Sequence, residues 1–276
     1  MKKEDRITIF LSPGELLWIA GHLGLKNIPL LGGAFRGHSP EEVRASIQQG
    51  FDILLNRNLI HRQGQHQLEL DSTLASVVTM VGTPDYTILI SCMRKEEPPF
   101  QAYLYFKDNQ SVLVIFQDRF FHFSLFREEA ALQRSLSIWM GIGGQVSEKV
   151  TQFRSPASDL SGLLQKIWSQ TDKSVDILQE TGLSQEDATL QADFLGQISM
   201  VSLLKRINYQ KAHLSMQGQV ILVGNSGNLW ANEAKEPTAE LPIFHPVTAT
   251  KAAALLSRYL RADLTIENQD EENPDN

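Results

Sequence analysis

Cysteine and long apolar runs are nearly absent from this sequence. Cys92 is the only cysteine among 276 residues, which excludes an internal disulfide framework and is typical of a reducing compartment. Because Cys92 lies in the apolar run 86–93, we expect a buried structural thiol. No apolar segment approaches the ~20 residues that span a bilayer, and residues 1–6 lead into a short apolar strand instead of a signal peptide. These absences predict a soluble, cytoplasmic protein without membrane insertion.

The acidic charge is concentrated at the end of the sequence. Residues 267–276 contain five acidic and no basic side chains, so that the net charge of −7 for the chain falls to −2 for residues 1–266. A polar, acidic segment without apolar anchors is typical of a disordered tail. We interpret it as a solubilising end, with an electrostatic interaction arm as the alternative.

Catalytic and metal-binding motifs are also missing. The chain contains no Gly-x-Ser-x-Gly, no His-Glu-x-x-His and no glycine fingerprint that opens a helix after a strand. The glycine-rich segment 141–144 lacks a clear preceding strand and an acidic residue for a ribose. His61 and His66 have no recognised zinc spacing, and His122 alternates with two phenylalanines on a predicted strand. We therefore predict no enzyme, no catalytic residue, no cofactor and no metal; a site that assembles only in three dimensions stays open as an alternative.

What the chain does contain is a short internal repeat. The tripeptide Asp-Ile-Leu at 52–54, with Leu59 after it, recurs at 176–178 with Leu183 after it. A helical stretch and then β-rich sequence follow each copy. This order predicts an α+β fold, a quasi-two-fold duplicated unit of antiparallel β-sheets with packed helices.

The repeat also predicts how the chain is divided. We expect an N-terminal half at 1–130, with helices, a hairpin and an antiparallel meander, and a C-terminal half of similar plan at 131–266. Residues 267–276 are expected to form the disordered acidic tail. Such a body presents surfaces to a protein partner, although the residues that contact it are not identifiable from the sequence.

Turn and capping residues define the elements of the first half. Ser12 and Ser39 each precede a proline and are followed three residues later by a glutamate, which is the pattern of a capped helix start. Asp71 is the predicted N-cap of a third helix. The predicted elements are a strand at 6–11, helices from 13 to about 24, at 41–57 and from 72 to about 81, a loop at 31–40, a hairpin at 59–70, and meander strands at 86–93, 100–106, 111–116 and 119–126.

The second half gives a less regular pattern. Segment 127–156, which includes Trp139, is left unassigned. The predicted elements are a helix at 159–168, further helical sequence at 184–206, a strand pair at 209–216 and 218–223 with its turn at 217–218, a turn at 224–227, and a last helix at 249–260.

The meander carries aromatic residues on both of its faces. Four phenylalanines lie between Phe120 and Phe126, so that both faces of the sheet need cover. We expect helices to cover one face and another sheet the other, and the alternative is that one face is an interaction surface.

A DNA-binding function is the competing interpretation. Helix 41–57 followed by hairpin 59–70 has the outline of a helix and wing in a winged-helix domain. The helix carries three acidic against two basic side chains, whereas phosphate contacts need a cationic face. The charge therefore argues against nucleic-acid binding, and Arg57 and Arg62 are the residues whose substitution tests this alternative.

Taken together, the elements resemble the EspG family, the cytosolic secretion-associated chaperones of type VII (ESX) secretion systems. The resemblance covers most of residues 6–260. It rests on the following segments: the first strand, the helix at 16–24 leading to 28–29, the positions 59–60, 70–71 and 74, the helix end at 83–85, the strand block 86–126, and, in the second half, 156–160, 182–188 and 244–250.

The resemblance implies a single α/β unit with quasi-two-fold halves, each an antiparallel sheet with helices. It also implies the absence of enzyme activity and a role in binding a helical secretion substrate, which is kept soluble for export. Because the family has no invariant motif for client contact, no partner-binding residue is carried over to this chain.

Overall fold

The computed structural model describes residues 6–63 except 27, 29 and 30, together with residues 67–142, 151–210, 213–225, 227–234 and 241–261. In these residues we number strands and α-helices in chain order. The strands are β1 (Arg6–Leu11), β2 (Ile60–Gln63), β3 (Gln67–Leu70), β4 (Tyr86–Arg94), β5 (Phe100–Lys107), β6 (Gln110–Gln117), β7 (Phe120–Phe126), β8 (Phe153–Arg154), β9 (Met200–Gln210), β10 (His213–Gly224), β11 (Leu229–Ala234) and β12 (Ile243–Pro246). The helices are α1 (Pro13–His22), α2 (Leu31–Ala34), α3 (Pro40–Asn56), α4 (Ser72–Gly82), α5 (Glu129–Trp139), α6 (Leu160–Ser169), α7 (Ser174–Gln179), α8 (Gln185–Gln197) and α9 (Ala249–Leu260).

One antiparallel sheet organises the fold. Its ten strands follow the order β1-β7-β6-β5-β4-β9-β10-β11-β12-β8, and β2 pairs with β3 in a separate hairpin. Read outward from the central β4–β9 pair, the order is β4, β5, β6, β7, β1 on one side and β9, β10, β11, β12, β8 on the other. The fold is therefore α+β, as the sequence predicts, while the duplication of the two halves stays a prediction.

Side-chain caps fix the starts of the first two long helices. The Ser12 hydroxyl accepts from the Glu15 backbone N–H at 3.2 Å, and the Glu15 carboxylate accepts from the Ser12 N–H at 2.8 Å. Ser39 and Glu42 form the same reciprocal capping box at the start of α3. The hydrogen bond from the Ser39 backbone lowers the pKa of the Glu42 carboxyl. These caps satisfy N–H groups that have no partner within the helix, as the sequence pattern predicts.

Helices cover both faces of the sheet around three apolar clusters. On one face α5 and α9 lie over the central strands, with Leu136 and Leu256 in one cluster with Ile88 and Ile90. On the other face α1, α3 and α4 cover the outer strands of the first half, and α6, α7 and α8 cover those of the second half. Because each fully buried leucine or isoleucine contributes roughly 1.5–3 kcal/mol, these clusters hold the helices on the sheet.

Glycine allows α1 and α3 to cross closely. A Cβ added at Gly50 would overlap the backbone of Gly14 and Glu15, and a Cβ added at Gly14 would overlap the backbone of Ser46. The two helices therefore touch backbone to backbone, and a larger side chain at either glycine would force them apart.

Several sequence-based predictions fail in particular places. Residues 31–34 of the predicted loop form the short helix α2. The predicted helical sequence at 184–206 is wrong after Gln197, because residues from Met200 onward alternate between the two faces of the sheet as strand β9 and pair with both β4 and β10. The unassigned segment 127–156 contains α5 and β8.

The predicted turn at 217–218 is a β-bulge. Strand β10 runs through this point, with a register shift between Met216 and Gln219 and Gly218 at a φ of +86°. Glycine supplies the positive φ that a bulge needs as readily as the one that a hairpin turn needs. The β9–β10 hairpin instead closes between Gln210 and His213.

The aromatic meander is covered by helices on both faces, so the predicted second sheet is absent from the described residues. Phe121 and Phe123 are buried beneath the α1–α4 group, and Phe126 is buried beneath α5. Phe10, Phe116 and Phe120 stay exposed at the β1 side of the sheet. In the part of the chain that the structure describes, no helix is both long and apolar enough to cross a bilayer.

Candidate functional site

The centre of the sheet has a partly uncovered surface that we call the central strip. Strand β4 turns Ile88, Ile90 and Cys92 towards α5 and α9, so the alternate residues of β4 face the opposite side. The residues of the central strip are Leu89, Ser91 and Met93 of β4 and Leu203, Lys205 and Ile207 of β9, all of them half-buried. Leu89 faces Lys205 across the strand pair, and Ser91 faces Leu203.

The central strip lies between two groups of helices. On one side α1, α3 and α4 form a cluster with β5, β6 and β7, and Tyr103 of β5 is half-buried at its border. On the other side α6, α7 and α8 form a cluster with β10, β11 and β12, and Leu203 is half-buried at that border. The strip therefore lies between the two helical groups, with its side chains only partly covered.

The side chains of the strip are mostly apolar. Four of the six are apolar, one is a serine and one is a lysine. This set contains no carboxylate, imidazole or thiol, so it has no general base to activate Ser91 as a nucleophile. A mostly apolar strip with a single ammonium group fits a largely apolar protein surface that presents an acidic residue.

A buried arginine braces the sheet directly behind the strip. The Arg206 guanidinium lies 4.1 Å from the centre of the Tyr86 ring, and the Tyr86 hydroxyl donates to the Leu260 carbonyl at 2.6 Å. Burial raises the pKa of Tyr86 to about 12, against the opposing effect of the nearby Arg206 charge. This stack joins β4, β9 and the end of α9, and so fixes the two strands that carry the strip.

The bulge in β10 is closed by a side chain from α9. The Tyr259 hydroxyl accepts from the Arg206 backbone N–H at 2.7 Å and donates to the Gly218 carbonyl at 2.9 Å. A bulge interrupts the ladder between two strands, and here one phenol bridges a donor on β9 and an acceptor on β10. Burial raises the pKa of Tyr259 to about 12, so that the hydroxyl stays protonated and able to donate.

A cavity of about 300 Å³ lies near the ends of β4, β9 and β10. Its lining includes Arg94, but the Arg94 guanidinium already donates to the Trp139 carbonyl at 2.9 Å and the Ile138 carbonyl at 3.2 Å, at the end of α5. The Ser199 hydroxyl has only a long contact of 3.5 Å with the Gly224 carbonyl. This lining includes no histidine, cysteine or aspartate, and its arginine serves as a helix cap.

Of the histidines noticed in the sequence, His61 and His122 lie on different strands. His61 is exposed on β2 opposite Glu69, and His66 falls outside the described residues. The His122 ring packs edge-on against Phe10 with 4.7 Å between ring centres. Among the described residues no group of three or more His, Cys, Asp or Glu is placed to hold a metal ion.

Arg57, one of the two arginines considered for DNA contact, is bound to groups of this chain, although 40% of its side chain is exposed. Its guanidinium donates to the Glu15 carboxylate at 2.8 Å and to the Phe10 carbonyl at 2.9 Å. The Glu15 side chain is only 2% exposed, so Arg57 neutralises a buried carboxylate. Arg62 is exposed on β2.

Two further residues singled out in the sequence, Cys92 and Gly141, lie outside the strip. Cys92 is buried, as the sequence predicts, and its thiol lies 3.4 Å from the Trp139 carbonyl and 3.2 Å from the Ser202 hydroxyl. Gly141 follows α5 with a φ of +63°, and residues 143–144 of the glycine-rich segment fall outside the described residues. Neither position carries a reactive group into the strip.

The sequence did not reveal the central strip. The one sequence feature that points to the strip is that segment 86–93 is apolar at both odd and even positions, which indicates a strand with two apolar faces. That β4 has β9 as its neighbour, and that both strands lie between two helical groups, follows from pairing over more than 100 residues and leaves no local pattern.

No family model matches the sequence, and no curated protein matches it. Among solved structures, the fold is similar to that of the Mycobacterium tuberculosis type VII secretion system chaperone EspG5, determined in complex with a PE25–PPE41 dimer. The TM-score is 0.56, and the alignment covers 90% of this chain and 94% of that chain. Because the two sequences are only 10% identical, this similarity concerns the fold.

Proposed function

We propose that this chain is a non-enzymatic, chaperone-like protein that binds a helical secretion substrate in the cytoplasm, as the resemblance to the EspG family implies. The observation that carries the proposal is the fold shared with EspG5 over 90% of the chain. The strand order outward from β4–β9 supports two duplicated halves, at 1–130 and 131–266. A partner-binding body needs no catalytic residue, which agrees with the composition of the central strip.

We place the partner on the central strip. The strip extends from Ile207, which pairs with the buried Thr87, to Met93, which pairs with the buried Val201. This is six residue steps along the strands and therefore roughly 20 Å. A helix of nearly four turns has the same length. The strip is two strands wide, or roughly 10 Å, which is comparable to the diameter of an α-helix.

Lys205 gives the strip a preferred partner charge. It is half-buried beside Leu89 and Leu203, so that an acidic residue on the bound helix would meet an ammonium group in partly desolvated surroundings. We therefore expect an amphipathic helix with an apolar face that contains one carboxylate. The same reasoning disfavours nucleic acid, because the strip offers only one cation to a phosphate backbone.

Co-purification from the native host tests the proposal. The tagged full-length chain is compared with Leu89→Asp and Lys205→Glu in the strip, and with Leu190→Asp as a matched control. Leu190 lies on the outer side of α8 and is 66% exposed, so its substitution alters charge and apolarity without altering the strip. Circular dichroism and thermal midpoints verify that each variant is folded.

We expect the wild-type chain and the control to recover the same helical secreted protein. Each strip variant should bind that protein about 10–100-fold more weakly, since one leucine buried in an interface contributes roughly 1–3 kcal/mol. A wild-type chain recovered without any helical partner would contradict the function. A partner retained equally by both strip variants would contradict the strip and leave the function standing.

A further inference from the structure

Strand β1 is an open edge of the ten-stranded sheet. Among the described residues only β7 pairs with it. The opposite edge is the two-residue strand β8, whereas β1 has six residues, Arg-Ile-Thr-Ile-Phe-Leu. Edge strands are usually protected by charged side chains, proline, a bulge, very short length or a covering element. Strand β8 is protected by its short length. Strand β1 has a charged residue only at its first position, Arg6, and has neither a proline nor a register shift against β7.

The side chains of β1 show that the apolar cluster beneath it is incomplete at this edge. Ile7 and Ile9 point towards the α1–α4 cluster but are only half-buried. On the other face Thr8 is exposed and Phe10 is 46% exposed. Phe120 lies nearby on β7, with 45% of its surface exposed. Another strand placed against β1 would cover apolar surface on both faces.

The hydrogen bond from Arg57 indicates which backbone groups face outward. Its guanidinium reaches the Phe10 carbonyl from the end of α3 at 2.9 Å, from which we infer that this carbonyl lies on the open side of β1. Backbone groups alternate in direction along an antiparallel strand, and the N–H and C=O groups of Arg6 and Thr8 therefore face the same open side. The Phe10 carbonyl keeps a second lone pair for another donor.

The sequence of β1 complements itself about Thr8. In an antiparallel pair centred there, Thr8 faces Thr8 of a second copy and Arg6 faces Phe10 of the second copy. The first contact is a threonine pair, which is favourable across strands, and the second places a guanidinium over an aromatic ring, twice in the dimer. On the opposite face Ile7 meets Ile9 of the second copy.

We propose that β1 pairs with β1 of a second copy of this chain, so that two ten-stranded sheets join into one continuous antiparallel sheet. This interface is separate from the central strip and does not depend on the proposed partner function. Six residues a side bury less than the 1,200–2,000 Å² or so of a standard stable interface. The dimer is therefore weak, with a dissociation constant in the range of about 1–100 μM.

Analytical ultracentrifugation of the full-length chain over a range of concentrations measures the dissociation constant of the dimer. The proposal is tested by comparing variants that carry opposite charges at position 10. Phe10→Lys places a cation opposite Arg6 of the second copy, whereas Phe10→Glu places a carboxylate there, and both lose the same contact with His122. We expect the dissociation constant of Phe10→Lys to exceed that of Phe10→Glu by on the order of tenfold or more, since each cross-strand pair occurs twice. The double variant Arg6→Glu/Phe10→Lys should restore dimerisation.

Thr8→Pro provides an independent test. If the Thr8 N–H faces the open side, proline there removes a donor only from the new interface, and the β7 pairing and the fold remain. We expect a folded monomer. A wild-type chain that is monomeric up to about 0.5 mM overturns the proposal, and so does a dimer whose dissociation constant is the same in Phe10→Lys and Phe10→Glu.

Discussion

Removal of the Tyr259 hydroxyl tests whether the bulge in β10 depends on α9. Tyr259→Phe keeps the ring in its cluster but deletes an oxygen that bridges the Arg206 N–H and the Gly218 carbonyl. Tyr259 is buried, so water does not readily replace the lost partner. The substitution therefore leaves one backbone donor and one backbone acceptor unsatisfied at the centre of the sheet.

The expected cost follows from these two groups. Each buried polar group that loses its partner costs about 1–3 kcal/mol, and partial relaxation of the bulge brings the expected loss to about 2–4 kcal/mol. Typical domains unfold with only about 5–15 kcal/mol, so this is a large share of the total stability. At roughly 2–3 °C for each kcal/mol in a chain of this size, the thermal midpoint should fall by about 5–10 °C.

Urea unfolding measured by tryptophan fluorescence and by circular dichroism gives the free energy. Tyr86→Phe is the matched control, because it deletes a single hydrogen bond, to the Leu260 carbonyl at the end of α9, and should cost only about 1 kcal/mol. A loss below about 0.5 kcal/mol in Tyr259→Phe, or a loss equal to that of Tyr86→Phe, would refute the reasoning that the phenol satisfies the bulge.

Three further predictions concern stability at high pH, the Arg57–Glu15 ion pair and the close crossing of α1 with α3. The phenols of the half-buried Tyr86 and the buried Tyr259 have a pKa of about 12 instead of 10.0, so folding favours their protonated form. The stability present below about pH 10 should therefore be lost as the pH rises towards 12; urea midpoints along that range measure this loss, and a flat profile would contradict the pKa shifts. Arg57→Ala leaves the Glu15 carboxylate buried without its cation and should lower the free energy of unfolding, measured in urea, by about 2–4 kcal/mol. Arg62→Ala, at an exposed position, should change it by no more than about 0.5 kcal/mol; equal effects of the two substitutions would show that the Arg57–Glu15 pair is unimportant. Gly50→Ala should destabilise the folded protein by about 1–3 kcal/mol, because the new methyl group overlaps α1. Gly21→Ala, where a Cβ meets nothing within 4 Å, should stabilise it by about 0.5–1 kcal/mol; thermal midpoints that move in the same direction in both variants would contradict the close crossing.

Local chemistry made much of the fold predictable from the sequence. The capping boxes at Ser12 and Ser39 depend on residues three apart, and the structure has both. The meander of β4 to β7 was readable because short turns separate runs of β-branched and aromatic residues. Helix α9 begins and ends where the sequence predicts.

Predictions failed where distant strands decide the local structure. Segment 200–206 contains leucine, lysine and arginine, which also suit a helix, and its strand state comes from pairing with β4 and β10. Gly218 is a turn signal by itself, and the Tyr259 hydroxyl that binds the carbonyl at the bulge is 41 residues away in sequence. The central strip could not be predicted for the same reason, since β4 and β9 are distant in sequence and meet only in the folded sheet.

Photo-cross-linking tests the central claim most directly. A photoreactive residue is introduced at Leu203 in the strip, or at Leu190 on α8 as the control, in the full-length chain within its native host. We predict that the Leu203 position cross-links to one helical secreted protein and that the Leu190 position does not. Cross-links of equal yield from both positions, or none from Leu203 while the partner still co-purifies, would contradict a partner bound on the central strip.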